Sequence, residues 1–413
     1  MIAGRALLKD YPFYRLNRLL AGLQAGTPSP AMQAAGIHEP LMMSIGEPQN
    51  GPPAFIRGII DQSFDLWGRY PPSNGSVALR QAIVDNLNRR YHLPTGWLGE
   101  RQNILPMPGI REGLFLIALA AVEGVEAAEA PYVLIPNPFY QPYGAGAVYA
   151  GGRGVFLSAS PANGFLPDYA GLDPAILRRT QLAYVCNPGN PHGAVAPRAY
   201  LHQLLELAIR YNFLLVVDEC YAEIYPDQPP ISMLQICAER GDDSLNQVAV
   251  FQTLSKRSSV PGLRSGFMAA GEVITQEMVR LISHGGNYVQ GPVSEASILL
   301  WQDEGHVEAN RALYRENLAI ATEVFAGYGG FHPVQAGFFL WLAVGDDEDF
   351  ARRLWQEAGI KVLPGRYLGR SDSDPLTGQD LPNPGEGFVR IALVHPPSIT
   401  RPALHRIAEL LGR

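Results

Sequence analysis

Four times in this chain a short apolar run of strand-forming residues stops at a polar or Gly/Pro-rich cluster. PYVLIP (131–136) leads into NPFYQPY, and QLAYVC (181–186) into NPGNPHG. NFLLVV (212–217) leads into DECYAEIY, and QVAVFQ (247–252) into TLSKRSS. Helical patterns lie between them, notably PRAYLHQLLELAIRY. Strands that are apolar at every position bury both faces, and their alternation with helices implies an α/β fold with a mostly parallel central sheet flanked by helices. In such sheets ligands bind beyond the carboxyl ends of the strands. All four clusters fall at that end, so residues more than a hundred positions apart are expected to share one site.

The rest of the chain is arranged around this unit. MPGIREGLFLIALAAV reads as a turn opening an apolar helix whose first N–H groups suit an anion. From about Gly291, helical and strand patterns alternate as in a smaller α+β domain. The expected division is a large domain over 47–290 and a small domain made of 1–46 and 291–413. Residues 371–387 form a polar loop, expected to be exposed. The net charge of −7 and the lack of a basic block argue against nucleic acid or an anionic membrane as a partner. No uninterrupted apolar run reaches the length of a membrane span. The three cysteines, Cys186, Cys220 and Cys237, have no metal-ligand spacing and cannot build a disulfide framework; no metal is expected and a cytoplasmic setting is. The N-terminus carries charge too early and too often for a signal peptide.

Of the 32 Lys and Arg residues only Lys9, Lys256 and Lys361 are lysines. Lys256 sits among hydroxyl residues before Pro-Gly-Leu-Arg. A lysine kept where arginine is the rule points to an amine that must lose its proton, although a surface lysine is the ordinary reading. Asp218 ends an apolar strand, where a carboxylate is costly unless paired; it is either a strand-end cap or the partner of a cationic heteroaromatic nitrogen. Tyr221 follows three residues later. Asn190 lies in a turn rich in Asn-Pro, and Arg264 is close enough in sequence to Lys256 to reach a phosphate. Arg390, inside the apolar strand GFVRIALV, needs an anion, either an internal carboxylate or that of a substrate. A lysine amine, a buried carboxylate and a phosphate cradle together describe pyridoxal phosphate chemistry.

Seven motifs in order, YPPSNGSVALRQAI, PGIREGL, NPFYQPY, NPGNPHG, DECYAEIY, SKRSSVPGLRSG and GFVRIAL, resemble the class I/II aminotransferases of fold type I over nearly the whole chain. YPFYRLNRLLAG, SIGEPQ, LSKRSSVPGLRSGF and GFFLWLAV further resemble the bacterial succinyldiaminopimelate aminotransferases. The resemblance implies that Lys256 bonds the cofactor aldehyde and then moves the substrate proton. It implies that Asp218 pairs with the pyridine nitrogen, that Tyr221 and Asn190 bond the ring oxygen, and that Tyr140 stacks on the ring. Gly109, Ile110, Arg111, Thr253, Ser255 and Arg264 would surround the phosphate. Tyr70 would reach the phosphate of a neighbouring subunit, which implies a homodimer with shared sites. Arg390 and the backbone of Gly46 would meet the substrate carboxylate. Two positions depart from the common pattern: Thr253 stands where Ser is frequent, and His192 where Thr is usual.

The expected activity is transamination between an amino acid and a 2-oxo acid, with N-succinyl-LL-2,6-diaminopimelate and 2-oxoglutarate as the favoured pair. Aspartate, alanine or an aromatic donor, a β-lyase or decarboxylase, and a non-enzymatic regulator on the same fold are the alternatives. No motif reads the distal end of the substrate; Tyr14, Arg15, His284, Asn287 and Tyr288 are candidates by position alone.

Overall fold

The computed structural model describes residues 8, 10–123, 130–241, 243–286 and 288–412. Its central sheet contains β1 (Ile104–Met107), β2 (Tyr132–Asn137), β3 (Arg153–Ser158), β4 (Thr180–Cys186), β5 (Leu214–Asp218), β6 (Val248–Thr253) and β7 (Gly266–Ala270). The spatial order is β1-β7-β6-β5-β4-β2-β3. Every pairing is parallel except the two made by β7, which runs antiparallel to β1 and β6.

The two faces of this sheet explain the unbroken apolar runs. Leu134, Ala183, Leu215 and Val250 pack into one core, and Val133, Tyr184, Val216 and Ala249 into another on the opposite face. Successive side chains point to opposite sides of a strand, so a strand covered on both faces has no position for a polar residue until it ends. The polar clusters therefore begin where the cover ends.

A second, three-stranded antiparallel sheet has the order β9-β10-β8, from β8 (Phe339–Ala343), β9 (Leu363–Pro364) and β10 (Phe388–Ala392). Its core includes Leu340, Val389, Ile391 and Leu404, together with Met32, Ile37 and Leu41 from the N-terminal segment. Leu41–Met42 also pairs in parallel with Ile360–Lys361, which ties the start of the chain to its end.

Packing does not divide at residue 290. Helix Gly291–Gln302 buries Val293, Ala296, Leu300 and Trp301 in the same core as the central sheet. Its small residues allow close approach: the Ser297 hydroxyl donates to Ser265 Oγ at 2.8 Å, and Ser294 bonds Ser76 at 3.0 Å. The segment 371–387 is also more ordered than a plain loop. Asp372–Ser373 pairs with Asp380–Leu381, Asp374 accepts from the backbone of Thr377, and the Asn383 amide donates to the Arg366 carbonyl.

Candidate active site

The carboxyl ends of β2, β4, β5 and β6 do converge. Tyr140, Asn190, Asp218 and Lys256, which follow or end those strands, line one cavity of about 330 Å³. Gly46, Ile110, Arg111, Tyr221, Thr253, Ser255, Arg264 and Arg390 line it too. Gly109 lies beside it, against the Arg264 guanidinium. Of the residues expected at the site, Tyr70 alone lies away from the cavity, wholly exposed.

Lys256 is on the short helix Leu254–Arg257, entered directly from β6 and capped by the Thr253 hydroxyl, which accepts from Ser255 N at 3.1 Å. Its amine donates to the Gly46 carbonyl and lies 5.4 Å from the centre of the Phe338 ring. Burial pushes the Lys256 pKa down to about 8; Arg390 and Arg111 push the same way, and Cys220 and Glu47 oppose them. At pH 7 roughly a tenth of the chains then carry the neutral amine, several hundred times the share for an unperturbed lysine.

Asp218 is buried and has no cation partner among the described residues. Tyr143 donates its hydroxyl to one carboxylate oxygen at 2.6 Å, and the backbone N–H of Cys220 to the other at 3.1 Å. Burial raises the Asp218 pKa, and these two bonds pull it back. Tyr143 went unnoticed in the sequence. It is the third residue of helix Gln141–Tyr149, and only the fold, which sets this helix against the end of β5, brings its hydroxyl to Asp218.

Arg390 lies in the middle of β10, 6 % exposed. It donates to Asn190 Oδ1 at 3.1 Å and to the Ser44 carbonyl at 3.1 Å. Its carbon rests 4.1 Å over the Phe339 ring, and its Nε has no hydrogen-bond partner. Among the described residues no carboxylate pairs with it. Burial lowers its pKa to about 10. A buried guanidinium with only neutral partners leaves a cation to be met by an anion from outside.

The other walls are set by close packing. Gly46 cannot carry a side chain, because a Cβ there would lie 2.4 Å from the Phe339 ring. At Gly109, with φ +78°, a Cβ would come within 2.5 Å of the Arg264 guanidinium. Ile110 precedes helix Arg111–Ala121, whose N-terminus faces the cavity, and Arg111 donates to the Tyr140 hydroxyl at 2.7 Å. Arg264 bonds the Pro108 carbonyl and Glu112 at 3.2 Å, a half-exposed pair that holds it weakly. The Thr253 hydroxyl donates to the Ser265 carbonyl at 3.0 Å, so it is partly committed to local structure. Tyr221 stands edge-on to Phe338 and Phe339. His192 is buried and stacked on Phe165, with burial pushing its pKa down to about 3; its Nδ1 accepts from Ala194 N, so its work is in the turn.

Tyr11, Glu47 and Cys220 also line the cavity and had no signal in the sequence. The positional candidates for the distal end do not line it. Tyr14 is exposed, Arg15 rests on the Tyr367 ring, the Tyr288 hydroxyl bonds Ser283, and Asn287 is outside the described residues. No group of side chains that could hold a metal occurs among the described residues, and no helix there is long and apolar enough to cross a membrane.

The donor set fits pyridoxal phosphate. A buried carboxylate without a cation suits a protonated ring nitrogen, a depressed lysine amine suits an aldehyde, and a helix N-terminus with hydroxyls and an arginine suits a phosphate.

The model for "Aminotransferase class I and II" matches residues 39–407. The LL-diaminopimelate aminotransferase of Moorella thermoacetica is 30% identical over 84% of this chain and 83% of its own length. That of Desulforudis audaxviator is 28% identical over 98% and 96%. A crystal structure of an aminotransferase from Neisseria meningitidis superposes with a TM-score of 0.89 at 36% identity, covering 99% of this chain and all of that one. The strand-end cavity and these matches agree: the chain belongs to the class I and II aminotransferases, a family of pyridoxal-phosphate-dependent enzymes with the fold-type-I architecture.

Proposed function

We propose that the chain transfers an amino group from a 2,6-diaminopimelate derivative to 2-oxoglutarate. The observation that carries the transaminase reading is one cavity holding an amine with a pKa of about 8 and a buried guanidinium with no carboxylate. Bound pyridoxal phosphate supplies an aldehyde for the lysine amine and a protonated ring that accepts the electron pair released at the substrate Cα.

The protein's own part is binding, orientation and proton movement. Asp218 would pair with the protonated ring nitrogen, and the Tyr143 hydroxyl favours the ionised form of that carboxylate against its burial. Tyr140 would pack beside the ring, and Asn190 and Tyr221, which line the same cavity, would bond its oxygen. Asn190 has given its carbonyl oxygen to Arg390, so its amide nitrogen is the end left to donate. Gly109, Ile110 and Arg111, with Thr253, Ser255 and Arg264, hold the phosphate. Arg390 takes the substrate carboxylate as a two-pronged donor and turns the Cα–H bond toward Lys256 Nζ. Lys256 would leave the Gly46 carbonyl to bond the cofactor aldehyde and, once the substrate's amino group has displaced it, would remove the Cα proton, which an amine near neutrality can do. Tyr70, exposed in the single chain, reaches the phosphate of a second copy in a homodimer.

The substrate class rests on two supports. The motifs SIGEPQ and LSKRSSVPGLRSGF favour the N-succinylated diamine, and the names of the relatives favour free LL-diaminopimelate. A half-reaction screen of the holoenzyme, followed by the absorbance of the cofactor, separates them. One of the two diaminopimelate forms should convert the cofactor fastest. Faster conversion by aspartate, alanine or an aromatic amino acid would refute the substrate class. Absorbance that returns to its starting state with every donor would indicate a lyase.

A further inference from the structure

A second cavity, about 570 Å³, adjoins the first, and Tyr11, Phe139 and Gln141 line both. Leu368 lies on the first and Gly369 and Arg370 on the second, so this segment forms part of the wall between them. This segment is fixed in place. Phe139 N donates to the Leu368 carbonyl at 3.1 Å, and Asn137, the last residue of β2, bonds both the N–H and the carbonyl of Arg370.

Three arginines on this cavity, Arg15, Arg153 and Arg370, have no ion-pair partner among the described residues, and two of them, Arg15 and Arg370, follow within four residues of Tyr11 and Leu368, which line the first cavity. Arg370 lies on the Phe156 ring, 4.6 Å from its centre, and its Nε is buried without a hydrogen bond. Arg15, four residues past Tyr11, lies 3.9 Å over the Tyr367 ring and has only the Arg366 carbonyl, at 3.5 Å. The neighbouring Arg366, by contrast, is fully engaged by Asp346, Asp347 and Glu348. Of the two carboxylates on the cavity, Asp10 is paired with Arg18, and the other is Asp372. A stacked guanidinium keeps its N–H edge free and aimed, which is the arrangement that receives a carboxylate.

We propose that Arg15 and Arg370 form a distal-carboxylate subsite that selects dicarboxylic substrates over chain-matched ones with an uncharged end. This rests on the transaminase reading above and deepens it. Arg390 takes the α-carboxylate in the first cavity, and the substrate chain passes Tyr11 and Phe139 so that its far carboxylate meets the two arginines. Both half-reactions use the subsite, because 2-oxoglutarate and a diaminopimelate each carry such a group.

The test uses the holoenzyme and two matched pairs, 2-oxoglutarate against 2-oxopentanoate, and LL-2,6-diaminopimelate against 2,6-diaminoheptanoate. The quantity read is the ratio of kcat/KM for the charged member to that for the uncharged one. Arg370→Gln and Arg15→Gln should each lower this ratio, mainly through KM, by roughly ten- to a hundredfold, the range for one hydrogen bond to a charged group. Arg370→Lys, with cofactor content checked by absorbance, should recover part of it. A ratio unchanged in both glutamine variants overturns the subsite, as does a wild-type enzyme indifferent to the distal charge. A wild type that prefers 2-oxoglutarate but rejects diaminopimelate leaves the subsite standing and refutes the donor assignment. An enzyme that transaminates nothing refutes both.

Discussion

Replacing Arg390 by alanine separates a binding role from a structural one. The guanidinium makes two hydrogen bonds, to Asn190 Oδ1 and the Ser44 carbonyl, and pairs with no carboxylate. Two such bonds to a charged group favour the folded chain by roughly 3–6 kcal/mol gross. Against them stands the cost of burying the cation. The fall of its pKa to about 10 corresponds to roughly 3 kcal/mol. The difference is roughly 0–3 kcal/mol, so Arg390→Ala should fold, bind the cofactor and lose no more than about 3 kcal/mol of stability. Its activity should suffer far more. A buried charge pair with the substrate is worth roughly 2–5 kcal/mol, so kcat/KM should fall by about 30- to several-thousand-fold for donor and acceptor alike. Arg390→Lys should recover only part, since a point charge lacks the two-pronged geometry. The assay is a pair of half-reactions with cofactor content and denaturant midpoint measured on the same preparation. A variant that unfolds while its native fraction turns over normally would refute the reasoning.

Lys256→Ala should abolish the borohydride-trapped cofactor adduct; an adduct found on Lys9 or Lys361 would overturn the assignment. Tyr143→Phe removes a hydroxyl that favours the ionised form of Asp218, so cofactor affinity should fall by roughly tenfold, about 1–2 kcal/mol, in a titration of the cofactor-free protein. Mixing Tyr70→Ala with Lys256→Ala subunits should restore part of the activity; proven heterodimers no better than either parent would rule out shared sites. Between about pH 8 and the ordinary lysine pKa, the unfolded Lys256 amine holds a proton that the folded one has lost. The cofactor-free protein should therefore gain up to about 3 kcal/mol as pH rises through that window, and Lys256→Met should show no such gain in melts across pH.

What the sequence showed and what it hid follow from the range of the interactions. The strands were legible because burial on two faces leaves a local record, an apolar run that must end where the cover ends, as at Asp218 and Thr253. The residues that end those runs were therefore legible as site candidates. Lys256 stood out by its rarity, and Arg390 by a charge where a strand offers no water. The parts that were missed have no local record. The Gly46 carbonyl that receives Lys256 comes from 210 residues away, and nothing in SIGEP says that its glycine is required by the Phe339 ring. Tyr143 is an ordinary aromatic in an apolar helix until the strand end above it is known to be Asp218. Helix Gly291–Gln302, which the sequence pattern groups with the small domain, packs on the central-sheet core, and its buried residues include Ser294, Ala296 and Ser297, small side chains that record close approach but not to what. Arg15 and Arg370 extend the same point. An arginine whose partner is a protein carboxylate and one that waits for a ligand look alike in sequence, and they separate only when the carboxylates around them are assigned: here Asp10 is held by Arg18, and Asp346, Asp347 and Glu348 by Arg366, which leaves Asp372 on the cavity with them.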